Sequence, residues 1–220
     1  PDPDVYVNYM GQSLSGSENR NINRTYPGKA DGTLTEMMSY GIVQLINTEN
    51  IDVTVDLHEA SPEYPVINAL IAHERAMNLA SNVVVDMQME GVQISLEPSP
   101  TDLRGLTHRE LGDHTDTLAL LMEAPNPAQG RLRDRTDEAL VLTGKSETYV
   151  KAGEIGQLYV PYDENGWPIE VRCARHVFGI ERILANYSEM YEEPIIVTGM
   201  PSYDELVKNG MGPYLNEPTT

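Results

Sequence analysis

Three short segments of this 220-residue chain contain residue types that could do chemistry together. They are NRTYPG at residues 23–28, DLHEA at 56–60 and LLMEAP at 120–125. His58 follows a run in which apolar and polar residues alternate, and an imidazole there could coordinate a metal ion. Glu123 ends an apolar run, where its carboxylate could act as a general base.

Asn23 and Arg24 place an amide beside a guanidinium in a predicted loop. Such a pair could clamp a carboxylate or polarise a carbonyl group. Each candidate also has an ordinary structural explanation, because strand ends often carry a structural histidine or a solvated glutamate, and surface loops contain Asn-Arg pairs by chance. The segments therefore favour a functional site only in combination.

The pattern of apolar residues predicts the elements that would position these segments. Strands are expected at residues 5–9, 51–58, 92–96 and 118–122, and helices at 34–47 and 72–90. Thr33 and Glu36 have the spacing of a capping box at the start of the first helix. Because strands and helices alternate, we expect an α/β fold with a mixed central sheet flanked by helices. Sites in such folds gather at the carboxyl ends of the strands.

After residue 135 the sequence has a different pattern, which predicts a smaller α+β portion. Its expected strands are at residues 138–144, 157–163 and 195–199, and its expected helices at 174–191 and 202–209. We place the domain boundary near residue 145. Residues 1–145 would then form the main domain and residues 146–220 an extension.

The composition limits the partners that the chain can have. Its 34 acidic and 15 basic residues give a formal charge of −19, which disfavours binding to the phosphates of a nucleic acid. No apolar run reaches the length of about 18 residues that a membrane span needs. Cys173 is the only cysteine, which excludes an internal disulfide and a multi-cysteine zinc site. We expect a small-molecule or peptide-like partner, and the oligomeric state stays open.

In combination, the N-terminal motifs resemble those of a known family. NRTYPG, then GTLTE at 32–36, a helix, and IDVTVDLHEA at 51–60 are similar to the ordered motifs of the zinc carboxypeptidase-like deacylases, the succinylglutamate desuccinylase and aspartoacylase family. The resemblance covers about residues 19 to 60. It implies a zinc carboxypeptidase-like fold, one zinc ion, and hydrolysis of an amide bond in an N-acyl amino acid or a small peptide-like substrate.

The resemblance also implies roles for individual residues. His58 would be a zinc ligand, and Glu123, on a later core strand, would be the general base and acid that activates water for attack. Asn23 and Arg24 would bind the substrate and polarise its carbonyl group. The alternatives are a metallocarboxypeptidase that acts on C-terminal or cell-wall peptides, and a metal-free pseudo-enzyme that serves as a binding module.

One departure from the family pattern concerns the remaining zinc ligands. The family carries a His-x-x-Glu pair upstream of the Asn-Arg loop, whereas no histidine of this chain has an acidic residue three positions further on. We expect that pair upstream of Pro1 in a longer protein. A rebuilt site would draw on HRELGDH at 108–114, which we interpret as a charged loop. Arg104 or Arg109 in this region could instead clamp a substrate carboxylate.

Overall fold

A computed structural model describes residues 2–215 of the chain. The strands are β1 (Val5–Val7), β2 (Ser13–Ser15), β3 (Val53–Ala60), β4 (Ala69–Ala72), β5 (Ser95–Pro98) and β6 (Leu118–Pro125). The α-helices are α1 (Leu34–Glu49), α2 (Met77–Met89), α3 (Thr107–His114), α4 (Glu138–Thr143), α5 (Glu147–Glu154), α6 (Ile169–Tyr191) and α7 (Tyr203–Asn209). None of these helices is long and apolar enough to cross a membrane.

Four strands form a mixed sheet in the order β3-β6-β4-β5, and helices flank it, as the alternation of strands and helices predicts. Strands β3 and β6 run parallel, because the backbone N–H of Leu118 donates to the carbonyl of Asp52 and that of Asn126 donates to the carbonyl of Ala60. Most of β6 is buried, which confirms the prediction of a central strand from its apolar run. Strands β1 and β2 form a separate antiparallel pair.

Helix α1 shows how local sequence signals determine an element. The Thr33 side chain accepts a hydrogen bond from the Glu36 backbone, and the Glu36 carboxylate accepts one from the Thr33 backbone, so the predicted capping box is present. Val43 and Ile46 on one face of this helix pack in a core cluster with Tyr26, Leu111 and Ala119. The helix therefore begins at a local signal and is held by burial of its apolar face.

Contacts divide the chain into two compact units whose segments alternate along the sequence. Among the described residues, the first unit contains 2–56, 71–80 and 97–121, and the second contains 57–70, 81–96 and 122–215. Each unit therefore draws on distant parts of the sequence. The predicted boundary near residue 145 divides the chain at a single position, whereas these units consist of interleaved segments. That boundary stays a prediction.

The expected α+β character of the C-terminal portion is wrong for the residues that the structure describes. Between residues 126 and 215 the regular elements are helices, and no strand forms at 157–163 or 195–199. Residues 138–144, predicted as a strand, form α4 instead. The Asp137 side chain accepts a hydrogen bond from the Leu140 backbone at the start of this helix, and Gly144 ends it in the left-handed conformation with φ +61°. These two capping residues outweigh the strand preference of a short apolar run.

The helices predicted at 34–47, 174–191 and 202–209 are present within a few residues of the expected bounds. Four elements were not predicted, namely β2, β4, α3 and α5. Strand β4 has only four residues, all buried, and it lies directly before the apolar pattern of the next helix. A short apolar run of this kind does not show a strand period of its own.

Candidate functional site

His58 and Glu123 lie close together in the second unit. They are on the neighbouring strands β3 and β6, and His58 Nδ1 is 3.8 Å from Glu123 Oε1. Their side chains are 27% and 13% exposed, so both groups are largely buried and still accessible. These two atoms are too far apart for a direct hydrogen bond. An imidazole beside a carboxylate at this distance can hold a cation or a water molecule, or pass on a proton.

Three polar side chains hold the ends of the two strands that carry this pair. Glu59, the neighbour of His58, accepts a hydrogen bond of 2.6 Å from Asn126, which directly follows β6. The other carboxylate oxygen of Glu59 accepts from Arg172 on α6. Arg172 is only 1% exposed and also donates to the carbonyl groups of Trp167 and Val141. A buried guanidinium with three acceptors therefore fixes the end of β3 and the residue after β6.

His176 on α6 contacts the same part of β3. Burial lowers the pKa of its imidazole, and this outweighs the opposing effects of the Glu59 charge and of a hydrogen bond with the backbone of His58. A histidine whose pKa lies below its usual value is uncharged at neutral pH. His176 therefore adds no positive charge beside the backbone of His58.

The residues around His58 fit part of a zinc site. Imidazole nitrogen and carboxylate oxygen are both zinc ligands, and His58 could supply one of them while Glu123 stays available as a base. Within residues 2–215, however, no group of three or more His, Cys, Asp or Glu side chains is arranged to hold a metal ion. The described residues thus offer one histidine ligand and a nearby carboxylate, but not a complete ligand set.

Asn23 has a structural role in the first unit. Its side-chain oxygen accepts hydrogen bonds from the backbone N–H of Thr107 at 2.7 Å and from the Thr107 hydroxyl at 3.0 Å. Thr107 is the first residue of α3, whose own N-cap residue, Leu106, has no capping side chain. Asn23 therefore caps this helix from a distant part of the sequence.

Arg24 is partly buried and is held by its own loop. Its Nη1 donates to the carbonyl of Asn23 at 2.6 Å, and its Nε lies 3.8 Å from a carboxylate oxygen of Glu18. The carbonyl of Arg24 accepts a hydrogen bond of 3.2 Å from the Asn8 side chain. Both residues of the Asn-Arg pair thus lie in the first unit, where contacts on both sides order the loop.

Arg104 and Arg109 also lie in the first unit, and carboxylates of the chain itself hold both. Arg104 binds Glu110 through two hydrogen bonds of 2.7 and 2.6 Å. Arg109 binds Glu74 in the same way at 2.9 and 2.7 Å, and it also contacts Asp113. The hydrogen bonds from Arg109 lower the pKa of Glu74 to about 2. This geometry favours a structural role for both arginines, since a substrate carboxylate would have to displace these partners.

The segment HRELGDH, predicted as a charged loop, is helical. It forms most of α3, in which residues 107–112 are buried. Two observations explain the difference. Asn23 supplies the missing cap, and Gly112 lies against the ring of His73, where there is no space for a larger residue. Neither contact can be seen from the spacing of residues within the segment.

We expect Gly112→Ala to destabilise the protein by about 1 to 3 kcal/mol. A Cβ atom at this position would lie 2.2 Å from the His73 ring. The His73 side chain is 7% exposed, and its Nε2 lies 3.1 Å from Asp113 Oδ1, so the ring cannot move aside freely. The matched control is Gly41→Ala in α1, where a Cβ would meet no atom within 4 Å. There the better helix propensity of alanine should stabilise the protein by up to about 1 kcal/mol.

Urea denaturation of both variants measures these changes. Equal stabilisation by the two substitutions would contradict the close packing of Gly112 against His73.

The sequence pattern did not identify Glu59, Asn126, Arg172 or His176 as neighbours of the predicted site. For Arg172 the sequence contained one indication that the side chain is buried with a partner. Arg172 shares a helical face of α6 with buried apolar residues, and a cation in an apolar stripe requires a buried partner. The partner itself, Glu59, is more than a hundred positions away, so the pattern could not have named it.

Comparison with known proteins identified no relative of this chain. No protein-family model, curated protein or solved structure matches this chain. The resemblance to the deacylase family therefore rests on the motifs at residues 19–60 and on the position of Glu123.

Proposed function

We propose that this chain is part of a zinc-dependent hydrolase with a zinc carboxypeptidase-like fold. It would cleave an amide bond of an N-acyl amino acid or a small peptide-like substrate. The observation that supports this proposal is the short distance between His58 and Glu123, 3.8 Å, because the sequence predicts complementary roles for these two residues at one site. They are 65 positions apart in the sequence (123 − 58 = 65), and neighbouring strands bring them together.

In this proposal His58 is a ligand of the metal ion, and Glu123 acts as the general base and then as the general acid. Zinc supplies a Lewis acid at such a site. The Glu123 carboxylate accepts a proton from the attacking water and then returns it to the leaving amine. Glu59, Asn126 and Arg172 act as positioning residues, since they hold the ends of the strands that carry the reactive pair. Residues 2–215 do not supply a complete ligand set, so the proposal requires further zinc ligands in addition to His58.

The substrate-binding roles of Asn23, Arg24, Arg104 and Arg109 stay predictions. For Asn23 the side-chain oxygen already caps α3, so a role in binding would fall to its amide group. For Arg104 and Arg109 the internal carboxylates compete with a substrate.

Zinc binding tests the proposal without any assay of activity. We expect the full-length protein to bind one zinc ion, and we expect His58→Ala to weaken this binding by at least about 100-fold, since even the loss of a residue that only orients a ligand weakens metal binding by about 10- to 100-fold. His114→Ala tests the alternative site at residues 108–114, and under this proposal it should keep the wild-type zinc affinity, because His114 lies at the end of α3 and contacts Glu110.

Competition with a chelator of known affinity measures the zinc affinity of each variant. Equal zinc affinity of the wild type and His58→Ala would remove His58 from the metal site. Lack of any zinc binding by the full-length protein would favour the metal-free binding module instead.

A further inference from the structure

The loop between β6 and α4 carries three arginines in five positions. Arg131, Arg133 and Arg135 line a surface cavity of about 510 Å³ together with Asp134 and Thr136. The whole chain has 15 basic residues against 34 acidic ones, so this loop concentrates positive charge on a strongly acidic protein. The loop also contains Asp134 and Asp137, so its formal charge is 3 − 2 = +1.

Glu63 holds the first part of this loop in place. Its carboxylate accepts a hydrogen bond of 2.6 Å from the backbone of Arg131 and one of 2.6 Å from the hydroxyl of Tyr149, a fully buried side chain. Burial alone would raise the pKa of Glu63, but these hydrogen bonds outweigh it and lower the pKa. Gly130 allows the close approach, since a Cβ there would lie 2.2 Å from the Glu63 carboxylate.

Asp134 holds the second part of the loop. Its two carboxylate oxygens accept hydrogen bonds from the hydroxyl groups of Ser146 and Thr148, and these bonds lower its pKa. Asp134 is therefore engaged with α5 and its N-cap, and the second carboxylate of the loop, Asp137, accepts a hydrogen bond from the Leu140 backbone at the start of α4. Asp134 does not neutralise the arginines by a direct ion pair.

The guanidinium groups remain available at the surface. Among residues 2–215, no side chain forms an ion pair with Arg131 or Arg135, and no hydrogen bond from either guanidinium is found. Arg133 donates to the carbonyl of Gly130, which engages part of its guanidinium. Glu63 and Asp134 thus order the loop, while its three arginines are exposed and line the cavity.

We propose that Arg131, Arg133 and Arg135 form a binding site for the oxyanion group of a small molecule, a carboxylate or a phosphate. A guanidinium binds either group through two parallel hydrogen bonds, and an ordered loop loses little conformational freedom on binding. The acidic surface repels anions at long range, so an anionic ligand needs such a local concentration of arginines. The inference does not depend on the proposed hydrolase activity.

Calorimetric titration of the protein with inorganic phosphate and with succinate at low ionic strength tests this site. We expect saturable binding of at least one probe, weakened by added salt because the charges are exposed. The double variant Arg131→Gln/Arg135→Gln should raise the Kd by at least about 10-fold, as expected for the loss of hydrogen bonds between charged groups. The matched control, Lys145→Gln/Lys208→Gln, removes the same charge from exposed positions and should keep the wild-type affinity.

The two probes distinguish the sources of the oxyanion. Tighter binding of phosphate would indicate a phosphorylated ligand, and tighter binding of succinate a carboxylate ligand; both results support the site. Absence of saturable binding for both probes, or an equal loss of affinity in the lysine control, would overturn it. Because calorimetry measures binding alone, either result is independent of zinc content and of hydrolysis.

Discussion

Replacement of Glu123 by glutamine is expected to lower kcat by at least about 100-fold, the scale of general acid–base assistance. Glutamine has nearly the same size but cannot accept a proton from the attacking water. Because Glu123 is assigned the role of a base and not of a ligand, zinc occupancy and melting temperature should stay nearly unchanged. Release of the free amine from a panel of N-acyl amino acids measures the activity of the full-length protein.

The matched control is Glu97→Gln, the same substitution on β5 of the same sheet, which should leave kcat unaffected. Two results would contradict the assignment. Loss of zinc together with activity would make Glu123 a metal ligand, and survival of activity would mean that another carboxylate acts as the base. Glu110, in the segment HRELGDH, would be the next carboxylate to test, but it is fully buried and accepts two hydrogen bonds from Arg104.

Replacement of Arg172 by methionine is expected to destabilise the protein by about 1.5 to 3 kcal/mol, the usual range for the loss of a hydrogen bond to a charged group. The Arg172 side chain is 2% exposed and that of Glu59 is 30% exposed. Removal of Arg172 takes one donor from the Glu59 carboxylate, which keeps its hydrogen bond from Asn126, and it also takes a donor from two carbonyl groups. Arg182→Met on the same helix is the control. Arg182 is 22% exposed and pairs with Glu90 and Glu181 near the surface, so about 1 kcal/mol or less should be lost there.

A double variant separates charge from packing at this position. Glu59→Leu combined with Arg172→Met removes both charges, and it should recover part of the stability lost in the single variant, because no partly buried carboxylate is left without its guanidinium partner. Denaturation of the two single variants and the double variant completes the cycle. A double variant as unstable as the sum of the single ones would mean that Arg172 stabilises the protein through its other contacts.

Elements with strong local signals were predictable from the sequence. Helix α1 carries its own capping box, and α6 repeats apolar residues over more than five turns. Strand β6 stood out as a continuous apolar run between breakers, as a central strand does. The C-terminal strands were predicted wrongly because a short β-branched run becomes a strand only when another strand pairs with it, and none does among the described residues 126–215.

The candidate site was likewise predictable from the sequence only in part. The residue types of His58, Glu123, Asn23 and Arg24 indicate their possible chemistry from the sequence alone. The fold places two of them 3.8 Å apart and gives Asn23 a structural task as the cap of α3. Side-chain type determines what a group can do, whereas its neighbours determine whether it is free to do it.

The sequence by itself determined the α/β alternation, the acidic charge, the capping box that begins α1, and the chemical types of the site residues. Only the tertiary structure decided that His58 faces Glu123, that Arg172 is neutralised by Glu59, and that Asn23 begins a helix 84 positions away. The physical reason is the distance along the sequence over which each kind of interaction acts. Caps and apolar periods act over a few residues, while the partners of buried polar groups depend on which distant strands and helices the sheet order brings together.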